Sequence, residues 1–308
     1  MAAQALDAAL LRQLVTAVHQ RASLRVGNAE RGDDPGPYAA ARAATGAPPL
    51  LTRDAARELL DEGALLTVLD GALAQEHLCA LRDELSLLEA CGRMELTLQA
   101  AGGTRSDRVV WLSERDARAH GMPALARAIE ALKALVGEHN AARRERAAAA
   151  TGQQGCFAPP LVVPARVQVA LYGGIGGDVD VGYVAHWDTT PLAPSSSSSQ
   201  AQQQPRYSNR RVLTAVLYAC PDDWDAANDG GALRCHVGAP PPTGLAADEQ
   251  AAIKAAAVTP GGPPWRVVDV APTGGSCVVF DATALLHQVL PARRARYAVT
   301  LWSYAPLE

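Results

Sequence analysis

From residue 161 onward the chain is dominated by short β-rich runs, and this limits its fold more than any other feature. "VQVALYG", "RRVLTAVLYA", "GALRCHVG", "WRVVDVAP", "SCVVFDA" and "RYAVTLWSY" are separated by turn signals and long loops. No helical period intervenes between most of them, which favours an antiparallel sandwich or barrel over a parallel βαβ sheet. Ahead of them the texture is helical. "TRDAARELLDEG" runs from an N-cap Thr52 to Gly63, "LAQEHLCALRDELSLLEACG" keeps helical spacing up to Gly92, and "MPALARAIEALKALVGEHNAARRERAAAA" reads as one long helix. "SDRVVWLS" is a short strand. Helices first and strands after is an α+β arrangement.

Leu6, Leu10, Leu14 and Val18 share one face of a helix over residues 5–22, followed by a Gly-, Pro- and Ala-rich connector. The predicted organisation is therefore a helix and flexible linker over 1–49, then one compact domain over 50–308. Within it, helical support occupies 50–150 and the β core 161–306. Two low-complexity inserts, 193–209 and 238–264, are predicted as loops, the second with a short helix at Asp248–Ala257.

With 308 residues, 48% of them hydrophobic, the chain can bury a full core. A formal net charge of −4 gives no basic excess, so neither nucleic acid nor an anionic membrane is expected as a partner. The six cysteines form no C-x-x-C pair and are expected to be reduced, mostly buried thiols. Asp7 and Arg12 interrupt what would be the apolar core of a signal peptide, and no run reaches the length of a membrane span. The Ala-rich, Arg-bearing start fits an organellar transit peptide and a surface helix equally well. The default expectation is cytoplasm or nucleus.

The chemistry gathers around "GYVAHWDTTPL", residues 182–192. His186 and Asp188 are at i and i+2, so on a strand both side chains point to the same face. Alone, H-x-D fits an ordinary strand-to-loop junction as well as a metal site. His287, in "LLHQVLPARRARYAVTLWSY" and placed between two strands, offers a third ligand. Two histidines and a carboxylate on one face of an octahedron leave open positions, the arrangement of non-haem Fe(II) oxygenases. Arg296 opens a strand on which Ala298, Thr300 and Trp302 share its face. A guanidinium buried there without an anion is costly, and its fork matches a carboxylate bidentately. The partner is either an internal Asp or Glu or, given a metal site in the same segment, a bound dicarboxylate. His236 beside Cys235 lacks a third ligand for a zinc hydrolase and is expected to be a strand residue with no role.

In combination these motifs resemble a known family. H-x-D, a distal His and an H-x(8)-R-Y-A-[IV]-T-[LV]-W run look like the 2-oxoglutarate- and Fe(II)-dependent oxygenases. The prolyl 4-hydroxylase group is most similar, and within it the oxygen-sensing hypoxia-inducible-factor prolyl hydroxylases. The likeness spans roughly Leu65 to Tyr304 and includes "VALYGGIGGDVDVGYVAHWD" and "RRVLTAVLYACPDDWDAANDGGALR". It implies a double-stranded β-helix (jelly-roll) core with supporting N-terminal helices. It makes His186, Asp188 and His287 the Fe(II) ligands, pairs Arg296 and Tyr218 with the distal carboxylate of 2-oxoglutarate, and lines the pocket with Tyr172 and Trp302. Arg211 falls on the peptide-substrate side, on the strand face opposite Tyr218, and Asp107 and Trp111 in "RSDRVVWL" fall near the substrate mouth. The implied activity is hydroxylation at C4 of a prolyl residue in an intracellular protein or peptide. Molecular oxygen is consumed, 2-oxoglutarate is converted to succinate, L-ascorbate keeps the iron reduced, and oxygen sensing is the implied role. A non-prolyl substrate on the same fold is the alternative. Thr189 stands where the family usually has Asn, and both inserts are longer than in the animal oxygen sensors. Arg rather than Lys at 296 sets the chain apart from secreted collagen-type enzymes.

Overall fold

The runs VQVALY, RVLTAVLY and RYAVTLWSY carry apolar residues at both parities, so each demands cover on two sides. In the computed structural model all three are central strands of one sheet. The structure describes residues 65–97, 107–151, 159–173, 181–189, 209–221, 223–243, 245–259 and 262–306. The helices expected at 5–22 and 52–63, the connector up to residue 49 and all but the last residue of the 193–209 insert lie outside the described residues.

In chain order the elements are β1 (Leu66–Leu69), α1 (Gln75–Ala90), β2 (Glu95–Leu96), β3 (Arg108–Leu112), α2 (Glu114–Ala119) and α3 (Pro123–Thr151). Then follow β4 (Val167–Tyr172), β5 (Val181–His186), β6 (Arg211–Tyr218), α4 (Ala226–Asp229), β7 (Leu233–Val237) and α5 (Ala247–Ala256). The chain closes with β8 (Arg266–Val270), β9 (Cys277–Asp281), β10 (Leu286–Ala292) and β11 (Arg296–Tyr304). Two antiparallel sheets result: a larger one ordered β1-β9-β6-β11-β4-β3-β2 and a smaller one ordered β5-β10-β7-β8. Helices first, strands after is thus only partly right. β1, β2 and β3 interleave with the helices and complete the two edges of the larger sheet, a non-local pairing that runs of two to five residues do not announce. The insert helix α5 lies within one residue of its predicted position.

Strand alternation divides the larger sheet. Val167, Val169 and Leu171 of β4, Leu213, Ala215 and Leu217 of β6, and Tyr297, Val299 and Leu301 of β11 pack into one cluster with Leu78, Leu81, Leu85 and Leu88 of α1 and the buried face of α3. Their neighbours Ala170, Tyr172, Val216, Tyr218 and Ala298 face Leu233 and Cys235 of β7 and Val289 of β10 across a second cluster. The larger sheet therefore rests its outer face on helices and leaves its inner face to the smaller sheet. Among the described residues no helix is long and apolar enough to cross a membrane.

α3 begins with Pro123, suited to a first helical turn, where its missing N–H is no loss. The next two amides are satisfied from another helix: Ala124 and Leu125 donate to the two carboxylate oxygens of Glu84 on α1, at 3.0 and 2.7 Å. Glu84 is 1% exposed, so its charge is stabilised by these N–H groups and by the positive end of the α3 dipole. Replacing Glu84 with Ala leaves two buried donors unpaired, and we expect a loss of about 3 kcal/mol, read as a lower urea midpoint at unchanged slope.

Candidate active site

Antiparallel register assembles the site. β5 and β10 pair His186 directly opposite His287, which brings the two rings to 4.4 Å between centroids on the same face. His287 is itself the second residue of β10, not a residue between strands. β5 ends at His186, so Asp188 is not on the strand that the H-x-D spacing assumes; it lies in the bend that follows. Trp187 turns to the outer face of the smaller sheet, and the carboxylate returns to the inner one. Asn209 Nδ2 donates to the Asp188 carbonyl at 2.7 Å, the Thr189 amide donates to Ala282 O at 3.1 Å, and Thr189 Oγ1 lies within reach of Asn209 Oδ1 and Arg211 O. These contacts give Thr189 a structural task in holding the bend that carries Asp188.

Each ligand turns one donor atom toward the other two. His186 Nδ1 is 2.8 Å from Val184 O and His287 Nδ1 is 3.1 Å from Leu285 O. A carbonyl only accepts, so both Nδ1 atoms carry the proton and Nε2 is the ring nitrogen with the lone pair. Asp188 Oδ2 accepts from Thr214 Oγ1 at 2.5 Å and from Trp302 Nε1 at 3.0 Å, while Oδ1 lies 3.8 Å from His186 Nε2. Ligand atoms of His186, Asp188 and His287 all fall within 4.8 Å of one another, the one such cluster among the described residues. Burial alone would raise the Asp188 pKa, but the charges of His287, His186 and Arg211 and the Thr214 hydrogen bond outweigh it and hold the carboxyl below its ordinary value. The donor set suits a divalent ion with open coordination positions. Tyr183 stacks on His186 at 3.8 Å and Phe280 sits 4.6 Å from His287, which fixes the ring planes.

Farther along the cleft the chemistry changes sign. Arg296 is 1% exposed, and its Nε donates to Gly231 O at 2.6 Å. Its guanidinium carbon lies 4.8 Å from the Tyr218 ring and 5.1 Å from the Tyr172 ring. Among the described residues no carboxylate forms an ion pair with it. The Tyr218 hydroxyl is likewise buried with no hydrogen-bond partner among the described residues, and burial pushes its pKa up, so it is a donor. A fixed cation and an idle phenol at the closed end of a cleft, with a three-ligand cluster along it, fit a dicarboxylate bridging the two. The cleft is lined by Arg296, Tyr218, Tyr172 and the three-ligand cluster and by Gln168, Ala298 and Thr300. Cys220, Cys235 and Cys277 are buried and pushed up to about 12 by desolvation, which leaves them as neutral thiols.

Of the ten residues singled out from sequence, His186, Asp188, His287, Arg296, Tyr218, Tyr172 and Trp302 line this one cleft. Trp302 does more than line it, since it orients Asp188. Trp111 stands at its edge, 40% exposed and 5.6 Å from Trp302. Asp107 is fully buried and is not among the residues that line the cleft. Arg211 is on the inner face, not opposite Tyr218. The β6–β11 register shifts between Leu213 and Arg211, so Val212 is an extra residue that reverses the alternation. Arg211 thereby lies 4.0 Å over Trp302 with Nη1 3.6 Å from Asp188 Oδ1. His236 lies buried in β7, where Nδ1 accepts from Trp265 Nε1. Thr214, Tyr183 and Gly231 were not singled out; the one signal for Thr214 was a lone hydroxyl on the Tyr218 face of an apolar strand. Thr214→Val removes one of the two donors to Asp188 Oδ2, and we expect Mn(II) affinity measured by calorimetry to fall about tenfold with the fold intact.

Residues 167–304 match the 2OG-Fe(II) oxygenase superfamily. No curated protein matches the sequence. Among solved structures, the chain is similar to a Pseudomonas putida prolyl-4-hydroxylase, with TM-score 0.53 and 20% identity over 83% of this chain and 100% of that one. It is also similar to a Trichoplax adhaerens prolyl hydroxylase in complex with a hypoxia inducible factor oxygen degradation domain peptide fragment, with TM-score 0.53 and 16% identity over 87% and 93%. At these identities the two structures speak to the fold. The stretch that matches this superfamily, residues 167–304, holds most of the two facing antiparallel sheets and, between them, the His186, Asp188 and His287 cluster.

Proposed function

We propose that this oxygenase hydroxylates a prolyl residue of a protein or peptide at C4, with 2-oxoglutarate as cosubstrate, and that it serves oxygen sensing inside the cell. The observation that carries the cosubstrate assignment is the buried Arg296 beside the idle Tyr218 hydroxyl. The guanidinium would receive the distal carboxylate through its N–H donors, and the Tyr218 O–H would donate to the same group. The His186 and His287 Nε2 atoms and Asp188 Oδ1 would hold the iron, while Thr214 and Trp302 engage the second Asp188 oxygen. When bound, iron and 2-oxoglutarate supply the oxygen-activating chemistry, with succinate and carbon dioxide as products. The protein contributes orientation along a single axis, from Arg296 to the metal ligands, and the apolar walls of Ala170, Val216, Leu233 and Phe280 that exclude water.

Support for a prolyl substrate comes from the mouth. Trp111 and Trp302 form an aromatic corner capped by Arg211, and a pyrrolidine ring packs well on such faces. The prolyl-hydroxylase names of the two similar structures and the ordered motifs from Val167 to Tyr304 agree with this assignment.

Purified protein with Fe(II) and ascorbate should convert 2-oxoglutarate to succinate and add one oxygen atom to proline-containing peptides, seen by mass spectrometry. Asp188→Ala should abolish metal binding and turnover together. Arg296→Ala should weaken 2-oxoglutarate binding by about thirtyfold or more while sparing the metal. Absence of both 2-oxoglutarate binding and succinate formation would overturn the cosubstrate assignment. Oxygen found only on residues other than proline would overturn the prolyl one.

A further inference from the structure

Arg296 is aimed by a single backbone atom, the Gly231 carbonyl at 2.6 Å, and that atom is not part of a regular ladder. Gly231 lies in the turn between α4 and β7 with φ +71, and a Cβ there would meet Arg296 Cδ at 2.9 Å. Gly230, at φ +69, has its α-hydrogen facing Pro291 O, where a Cβ would come to 2.1 Å. The turn is thus pressed between the stem of Arg296 and the end of β10, and only glycines fit it.

What fixes this turn is a set of contacts from the β10–β11 connection. Gly231 N donates to Pro291 O at 2.8 Å, and Arg293 donates from its amide to Asp229 O and from Nη1 to Asn228 O, each at 2.8 Å. Trp224 Nε1 donates to Gly230 O at 3.2 Å. Arg294 closes the set. Its Nη1 meets Asp229 Oδ2 and its Nη2 meets Asp223 Oδ1, both at 2.9 Å, with the guanidinium 5.7 Å from the Trp224 ring. Asp229 Oδ2 also accepts from the Asp225 amide at 2.9 Å, so the same carboxylate joins the start of the turn to its end. Two arginines two residues apart therefore do opposite things: Arg296 points inward to the cleft, and Arg294 grips the outside of the turn that aims it.

We propose that Arg294, held between Asp223 and Asp229, is a positioning residue for the dicarboxylate end of the site: it locks the Asp223–Gly231 turn so that the Gly231 carbonyl sets the direction of the Arg296 guanidinium. The inference rests on Arg296 being the anchor of 2-oxoglutarate. Arg294 does not touch the cosubstrate, so its loss should change cosubstrate affinity without changing metal affinity. Simple attraction of an anion by a surface arginine makes a different demand. Under attraction, removing the negative charge of Asp229 would tighten 2-oxoglutarate binding; under positioning, it weakens it.

The test is calorimetric binding of 2-oxoglutarate to Fe(II)-loaded protein without oxygen, together with Mn(II) affinity and thermal midpoint for each variant. Arg294→Met and Asp229→Asn should each raise the 2-oxoglutarate Kd about fivefold, with Mn(II) affinity unchanged. The double variant should be little worse than either single one, because both break one interaction. Arg294→Lys should recover most of the affinity. Unchanged 2-oxoglutarate affinity in Arg294→Met, tighter binding in Asp229→Asn, or a parallel loss of Mn(II) affinity would each overturn the proposal. Arg296→Ala is the control for the underlying assignment. If it leaves the Kd unchanged, Arg296 is not the anchor; if it weakens binding while Arg294→Met does not, only the positioning role fails.

Discussion

A full positive charge at 1% exposure is the constraint around which the cleft is organised. Withdrawing a guanidinium from water costs several kcal/mol, on the order of the net stability of a small domain, unless its N–H groups find acceptors. The chain provides a carbonyl at 2.6 Å and two aromatic faces near 5 Å, all of which tolerate a cation without neutralising it. The residual demand is for an anion. Tyr218 sharpens that demand, since its buried hydroxyl also lacks a partner and is kept protonated by burial. Two such donors at one end of a cleft suit a ligand that carries a carboxylate there.

The same alternation that buries Arg296 fixes everything else on its strand. Val299 and Leu301 belong to the helix-facing cluster, so Arg296, Ala298, Thr300 and Trp302 must face the cleft. A slip of one residue would drive the guanidinium into the leucines of α1 and pull Trp302 from Asp188. Helices far from the chemistry thus enforce the register on which both ends of the site depend. The Glu84 contact to the start of α3 belongs to that support, because it holds the two helices together that cover the sheet.

This explains which parts were legible in the sequence. The apolar runs of β4, β6 and β11 and the helical spacing of α1 and α3 are local signals, and each of these elements appears where expected. Asp188 and Arg211 show the limit. The H-x-D spacing brings Asp188 to the correct side, yet the strand has already ended, and the bend is held by Asn209, Thr189 and Ala282 from distant segments. Arg211 follows strict alternation in the sequence, but Val212 bulges against β11 and reverses it. A bulge is a property of a strand pair, and one strand read alone does not contain it. Asp107, one residue ahead of β3, is completely buried, which its motif alone does not announce.

The two ends of the cleft are held by different parts of the chain. At the metal end, His186 and Asp188 depend on the exit of β5 and the start of β6, through Asn209, Thr214 and Trp302. At the other end, Arg296 depends on the turn after α4 and on the connection from β10 to β11. β10 carries His287 at one end and reaches Pro291 and Ala292, which pack on the glycine turn, at the other. That strand sets the spacing between the His186, Asp188 and His287 cluster and the guanidinium. Affinity for the metal and affinity for the cosubstrate are thereby separable in their supports while remaining joined in their distance, which is what an enzyme needs when two components must meet in one orientation.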